Sequence, residues 1–230
     1  MGVPYYTKEE IGGAQALIQD RYAKGSWIVK LEEKTHALTN KIKERFGTIA
    51  NILEIGSGSG KTLSFFISQG FKNIKGVDID NYLLDKSLSN NLILADLNND
   101  AFPVADQSQD VVLAFEIFEH LENPFRTVRE MARVLRGGGL VFLSMPYGHT
   151  LWDKLKFFIS GNLINYHTKN NHITFMTKDV FNKIFNRYFE LEETFFDHGW
   201  TPFLRPRRWN KYLPAHPLWS LKVCYVMRKK

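Results

Sequence analysis

Residues Glu54–Gly60 read E-I-G-S-G-S-G, between a short apolar run and a segment with helical spacing. Glycines in that context permit a tight turn and a close approach of backbone to ligand, and the helix start offers unpaired N–H groups. Spacing separates the ligand classes that use such turns. A phosphate-cradling loop needs G-x-x-x-x-G-K followed by Ser or Thr; Gly60-Lys61-Thr62 supplies the end, but Ile55 stands at the first glycine. A dinucleotide fingerprint, G-x-G-x-x-G from Gly56, would place its third glycine where Lys61 stands. What remains is E-x-G-x-G-x-G, with Asp78 at the end of the next apolar run. A carboxylate there can accept both hydroxyls of an adenosine ribose.

A second group with chemistry follows a later apolar run, as E-I-F-E-H. On a helical turn Glu116 would share a face with Glu119 and His120. Two carboxylates and an imidazole could hold a divalent cation, with His149 or His172 as a further ligand. No fixed fourth ligand is set by the sequence, and the expectation is that these residues shape a pocket with no metal bound. His172 lies in N-H-I-T-F-M-T, and His172 and His120 are the candidates for a base or an acceptor contact.

The elements that must position these residues follow an alternating rhythm. Lys8–Tyr22 and Lys30–Phe46 show helical spacing, with Gly47 closing the second. Strands are expected at Asn51–Ile55, Ile74–Ile79, Leu92–Ala95, Asp110–Phe115 and Leu140–Ser144, with helices at Lys61–Gln69 and Pro124–Arg136 between them. Gly137–Gly139 reads as a turn before the fifth strand. The pattern loosens after Pro146 until a helix at Lys178–Phe185. A weak alternation at Phe189–Phe196 and a last apolar run at Leu218–Met227 follow. Such β-α-β units imply an α/β fold with a doubly wound, Rossmann-like parallel sheet, in one domain over residues 1–230.

The composition of the 230 residues is globular, at 44% apolar and 23% charged, which excludes disorder, collagen and coiled coil. The one cysteine, Cys224, rules out an intrachain disulfide and makes a reducing compartment the default. No apolar run approaches membrane-spanning length and the first residues lack a signal-peptide pattern, so a cytoplasmic protein without transmembrane segment is expected. The net charge of +6 is uneven: residues 201–230 hold eight Lys/Arg and no Asp/Glu, together with Trp209, Tyr212 and Trp219. An anion-binding patch or a solvated tail would both account for it, and the absence of a nucleic-acid motif favours the tail.

Taken together, ILEIGSGSG, IKGVDID, LADLNNDAFPVADQSQDVV and FEIFEHLENPFRTVREMARVLRGGGLVFLSMP resemble, in order, the motifs of the class I S-adenosylmethionine-dependent methyltransferases. The resemblance covers about residues 40–200; Gly137 stands where that family usually has proline. It implies a seven-stranded sheet with a final antiparallel strand, a helical cap at 1–48, a cofactor-binding half at 49–145, and a substrate lid with C-terminal strands at 146–230. It also implies S-adenosyl-L-methionine as cofactor. Gly56, Ser57 and Gly58 would wrap its methionine and sugar, shaped by Glu54 and Gly60. Asp78 would hold the ribose, Ile79 would pack on the adenine, Asp96 and the Leu97 backbone would meet the adenine edge, and Phe115 would line the methionine end. Some relatives, in ubiquinone-pathway and small-RNA methylation, use an E-x-x-E-H arrangement for a metal. The 146–176 segment resembles a subgroup found with glycan, polyketide or quinone pathways, which makes a small-molecule acceptor the expected substrate. Tyr5, Tyr6 and Trp27 would belong to the cap.

Three rival readings remain on the page. A nucleic-acid methyltransferase would use the basic C-terminal stretch, but AFEIF stands where amino-group DNA methylases carry their Pro-Pro signature. An NTPase would use Gly60-Lys61-Thr62 but leaves Asp78 and Asp96 without a role. A non-catalytic scaffold would bind the cofactor and transfer nothing.

Overall fold

The computed structural model describes residues 28–168, 170–197 and 214–230, with side chains from 36 onward. The expected helix at Lys8–Tyr22, the cap aromatics Tyr5, Tyr6 and Trp27, and Trp209 and Tyr212 lie outside the described residues. In chain order the elements are α1 (Ile28–Phe46), β1 (Asn51–Ile55), α2 (Lys61–Ser68), β2 (Asn73–Asp78), β3 (Leu92–Leu94), β4 (Gln109–Phe115), α3 (Pro124–Val134), β5 (Leu135–Pro146), α4 (Leu151–Ser160), α5 (Lys178–Phe185), β6 (Phe189–Phe196) and β7 (Lys222–Lys229). Short 3-10 turns cover Lys86–Asn91 and Phe118–His120.

The seven strands form one sheet in the order β3-β2-β1-β4-β5-β7-β6. β1 to β5 run parallel, and β7 is antiparallel to both of its neighbours. Strand alternation sends neighbouring residues to opposite faces. Val111, Leu113, Leu140 and Phe142 pack with Leu38 and Ile42 of α1 and with Leu63 and Phe66 of α2. Val112, Ala114, Val141 and Leu143 pack on the other face with Val128 and Met131 of α3 and with Ile184 and Phe185 of α5. Apolar residues on both faces of each central strand are what a sheet covered on both sides requires.

The open edge at β6 is defended by charge. Glu192 accepts Arg45 of α1 at 3.2 Å, Lys41 bonds Glu193, and Arg228 of β7 bonds Glu190.

Two expectations need correction. Gly137–Gly139 is not a free turn: β5 starts at Leu135, and the glycines lie where the pairing register jumps from Gln109–Leu135 to Val111–Leu140. The stretch after Pro146 is not wholly irregular, because α4 stands there. Thr150 caps it, its hydroxyl accepting from the Asp153 N–H at 3.0 Å, and Gly161 ends it at φ 67.

Candidate functional site

The glycine turn sits at the carboxyl edge of the parallel strands, beside the point where the strand order reverses between β1 and β4. Ligands of open α/β sheets bind at that position. Gly56, Gly58 and Gly60 all have positive φ, at 72°, 48° and 77°. A Cβ on Gly56 would lie 2.7 Å from Ile117, so that position needs glycine for space as well as for conformation. A Cβ on Gly58 would meet nothing within 4 Å among the described residues, so the crest of the turn faces space there.

Asp78 braces the turn from β2. One carboxylate oxygen accepts the Gly58 N–H at 2.7 Å and the other accepts the Ile79 N–H at 2.8 Å. Gly56 N–H donates to the Val77 carbonyl at 2.8 Å, which closes the turn onto the end of β2. Each Asp78 oxygen keeps a second lone pair for a ligand hydroxyl. Burial, partly offset by those two amides, raises the Asp78 pKa to about 6. Glu54 is buried beneath the same turn. Desolvation pushes its carboxyl up to about 8, against a hydrogen bond from Thr62 and with added repulsion from Asp78. The buried Glu54 Oε2 and Ser57 Oγ have no hydrogen-bond partner among the described residues. A buried carboxylate with spare lone pairs at Asp78, a buried protonated carboxyl at Glu54 and the glycine crest fit a ligand with hydroxyls to donate. They suit a polyphosphate poorly.

Asp96 reaches the same edge because the Ala95 N–H donates to the Asp78 carbonyl at 2.9 Å. Its carboxylate accepts the Asn98 N–H at 2.9 Å and the Asn99 side-chain amide at 2.8 Å. Leu97 is buried behind it, with its carbonyl accepting the Thr127 hydroxyl at 3.2 Å. Ile79 is half-buried at the end of β2, and Phe115 is half-buried at the end of β4.

Beyond β4 the chain departs from the expected helical turn. Glu116 has φ 52, and only Phe118–His120 form a 3-10 turn. Glu116 turns to the sheet instead, accepting the Ser144 hydroxyl at 2.9 Å and pairing with Lys222 at 2.5 Å. Lys222 had no signal in the sequence; the antiparallel register of β7 sets it opposite Pro146 and so beside Glu116.

Glu119, His120 and His172 do converge, with one ligand atom from each within 4.8 Å of the others. The segment before α5 makes that meeting, since the Ile173 and Thr174 N–H groups donate to the Glu119 carbonyl at 2.8 and 3.0 Å. Glu119 is buried, and its Oε2 has no hydrogen-bond partner among the described residues. Burial first, then Glu116, raises its pKa well above the usual carboxyl range. His120 is lowered, mainly by burial, and His172 falls to about 4 through burial and the nearby His120. His120 Nδ1 lies 3.0 Å from the Asn171 carbonyl, and His172 Nδ1 lies 2.7 Å from the Asn165 carbonyl. A carbonyl only accepts, so in each neutral ring the proton belongs on Nδ1 and Nε2 is the bare, basic nitrogen. The trio can therefore accept a proton from an acceptor hydroxyl or amine, or hold a divalent cation. His149 lies apart, its Nε2 3.2 Å from the Met176 carbonyl and its ring against Tyr147 and Phe175. Tyr166, not singled out in the sequence, packs its ring on His172 with centroids 5.6 Å apart.

Comparison with known proteins adds to this geometry. Residues 53–143 match a family model described as a methyltransferase domain. A probable S-adenosylmethionine-dependent methyltransferase of Mycobacterium tuberculosis is 36% identical over 101 residues, covering 43% of this chain and 36% of that protein. A thiol S-methyltransferase of Mus musculus is 33% identical over 124 residues, covering 49% and 50%. The chain thus spans between a third and a half of the length of these relatives. Among solved structures, a SAM-dependent methyltransferase from Archaeoglobus fulgidus superimposes with a TM-score of 0.61 at 17% identity, covering 94% of this chain and 99% of that one. The cyclase SpnF superimposes at 0.64 with 15% identity, covering 100% and 99%. These likenesses show the Rossmann-like methyltransferase fold, and a cyclase among them shows that the fold alone does not set the reaction. Enzyme class and cofactor in the sequence relatives agree with those the motifs imply.

Proposed function

We propose that this protein is an S-adenosylmethionine-dependent methyltransferase acting on an O or N atom of a small-molecule acceptor, such as a glycan precursor or a quinone. The observation that carries the reading is the acidic cradle. Asp78, with a second lone pair on each oxygen, offers acceptors for ribose hydroxyls beneath the glycine crest, and its carboxylate beside the protonated Glu54 would repel a phosphate.

In this reading Gly56, Ser57 and Gly58 wrap the methionine and sugar, with Glu54 and Gly60 setting the turn. Asp78 holds the ribose hydroxyls, Ile79 packs on the adenine, Asp96 and the Leu97 backbone meet its edge, and Phe115 lines the methionine end. The bound cofactor supplies an electrophilic methyl carbon. The chain supplies position: the turn fixes the cofactor, and the lid holds the acceptor in line, which accounts for much of the rate in such a reaction. His172 Nε2, with His120 beside it, takes the proton that an acceptor hydroxyl or amine must lose. Burial raises the Glu119 pKa and lowers those of His120 and His172, which favours the uncharged form of each.

The test is transfer of labelled methyl from S-adenosylmethionine to a panel holding a quinol, a sugar derivative, an amine, a thiol and RNA. Labelling of the quinol, sugar or amine supports the reading. Labelling of the thiol or RNA alone overturns the acceptor class, and binding of cofactor with no transfer points to a scaffold.

A further inference from the structure

Two imidazoles and a carboxyl group meet where the turn after β4 touches the segment before α5. One ligand atom from each of Glu119, His120 and His172 lies within 4.8 Å of the others. Glu119 Oε1 stands 3.9 Å from His120 Nε2, and the two rings cross edge to face with centroids 4.9 Å apart. Both rings are fixed from behind, each Nδ1 being bonded to a backbone carbonyl, that of Asn171 or of Asn165. A bond of that kind from the far nitrogen is what orients a histidine toward a metal. The Glu119 side chain is 1% exposed, and its Oε2 has no partner among the described residues. A buried carboxyl oxygen left unpaired is costly, and a ligand that takes its lone pair removes the cost.

We propose that Glu119, His120 and His172 form a binding site for a zinc-class divalent cation, with both Nε2 atoms and a Glu119 carboxylate oxygen as ligands. The fold, more than the motif, sets this donor set. In E-I-F-E-H the sequence offers two carboxylates and one imidazole, which suits a hard cation. The structure withdraws Glu116, which accepts the Ser144 hydroxyl at 2.9 Å and pairs with Lys222 at 2.5 Å. It adds His172 through the bonds of Ile173 and Thr174 to the Glu119 carbonyl. Two nitrogens and one oxygen favour zinc, cobalt or nickel over magnesium. The expectation of a pocket without metal rested on the missing fourth ligand, and an open three-ligand site needs none.

Ligand atoms around tetrahedral zinc lie about 3.3 Å apart, so closing the trio takes a shift of about 1 Å in each side chain. His120, 23% exposed, gives the open fourth position a path to solvent. The Lys222 ammonium, which would oppose a cation, is neutralised by Glu116. A cation on both Nε2 atoms leaves neither a lone pair for a proton. The loaded site and the base role of His172 therefore exclude each other. That consequence rests on the function proposed above; the site itself does not.

The experiment is titration of the full chain, stripped of metal by a chelator, with Co²⁺ followed by its visible absorption. Zn²⁺ and Mg²⁺ are then added as competitors. The expected result is one Co²⁺ per chain with the intense bands of a four-coordinate site. Zn²⁺ should displace it, and Mg²⁺ in about hundredfold excess should not. Glu119→Gln and His172→Ala should each weaken Co²⁺ binding at least about tenfold, whereas His149→Ala, outside the trio, should leave it unchanged. Circular dichroism and thermal unfolding confirm that the variants fold. Absence of a stoichiometric Co²⁺ spectrum, unchanged affinity in Glu119→Gln and His172→Ala, or displacement by Mg²⁺ overturns the proposal. Methyl transfer separates the site from the function. With His172 as base, one equivalent of Zn²⁺ lowers transfer and a chelator restores it; a chain that holds Zn²⁺ and transfers at its full rate keeps the site and loses the base.

Discussion

Substituting Gly58 by alanine separates the backbone role of the glycine turn from its role as a ligand cradle. The position has φ 48, and its added Cβ meets no atom within 4 Å. Gly47, at the end of α1, has φ 71 and equally open space, so it provides the control. For an L-residue the left-handed region costs about 1–2 kcal/mol. In a chain of this size that lowers Tm by about 2–8 °C, and the two variants should fall alike. Their response to ligand should differ. S-adenosylhomocysteine at about 100 times its Kd stabilises the wild type by about 2.7 kcal/mol, or roughly 5–10 °C. Gly47→Ala should keep that increment. In Gly58→Ala the methyl group occupies the crest. A hundredfold weaker Kd leaves about 0.4 kcal/mol at the same concentration, or about 1 °C. Differential scanning fluorimetry of the three proteins with and without ligand measures both effects. A full ligand increment in Gly58→Ala would refute the cradle.

Other perturbations test the remaining parts. Asp78→Asn leaves one acceptor oxygen for two backbone amides, so one bond is lost at about 1–3 kcal/mol and ligand affinity falls about tenfold or more; calorimetric titration reads the affinity and chemical denaturation the stability. Glu54 holds an extra proton in the native state between its unfolded pKa near 4.5 and about 8, so stability is full below that window and declines as pH rises through it. The slope is at most about 1.4 kcal/mol per pH unit, and Glu54→Gln should flatten it in urea titrations run from pH 5 to 8.5. His172, lowered to about 4, should give a kcat profile with no acid limb near pH 6.5, because the reactive neutral ring persists to well below that value. His172→Ala should lower kcat about 10²–10⁴-fold and leave S-adenosylhomocysteine binding intact, and loss of that binding would move His172 to the cofactor. Asp153→Ala strips partners from Thr150 and the Ile164 N–H and should cost about 2–3 kcal/mol by thermal unfolding, and an unchanged Tm would contradict its bracing of α4.

The central strands were legible because they announce themselves locally: Leu140–Ser144 and Asp110–Phe115 are apolar on both faces, whereas the final antiparallel strand was implied only by the family resemblance. Asp78 was legible for the same reason: strand end, turn and carboxylate are close in sequence. The start of β5 was not, because Gly137–Gly139 signal a turn whether or not the strands on either side stay paired. Helix α4 hid behind Pro146, Gly148 and Gly161, although Thr150 and Asp153 spell a capping pair that would have marked it. Long-range meetings left little trace, beyond His172 as one of two possible partners for the E-I-F-E-H group. His120 and His172 come together through backbone bonds from Ile173 and Thr174 to Glu119, and Glu116 meets Lys222 through the β5–β7 register. Pairs of that kind depend on topology, which periodicity does not encode.

The central claim is that the cradle over Glu54 and Asp78 takes an S-adenosyl ligand and not one that carries phosphates. Isothermal titration with S-adenosylhomocysteine, NAD and Mg-ATP in parallel tests it most directly. The account predicts one site for S-adenosylhomocysteine and no heat from the other two. Binding of NAD or Mg-ATP in its place, or of none of the three, would contradict it.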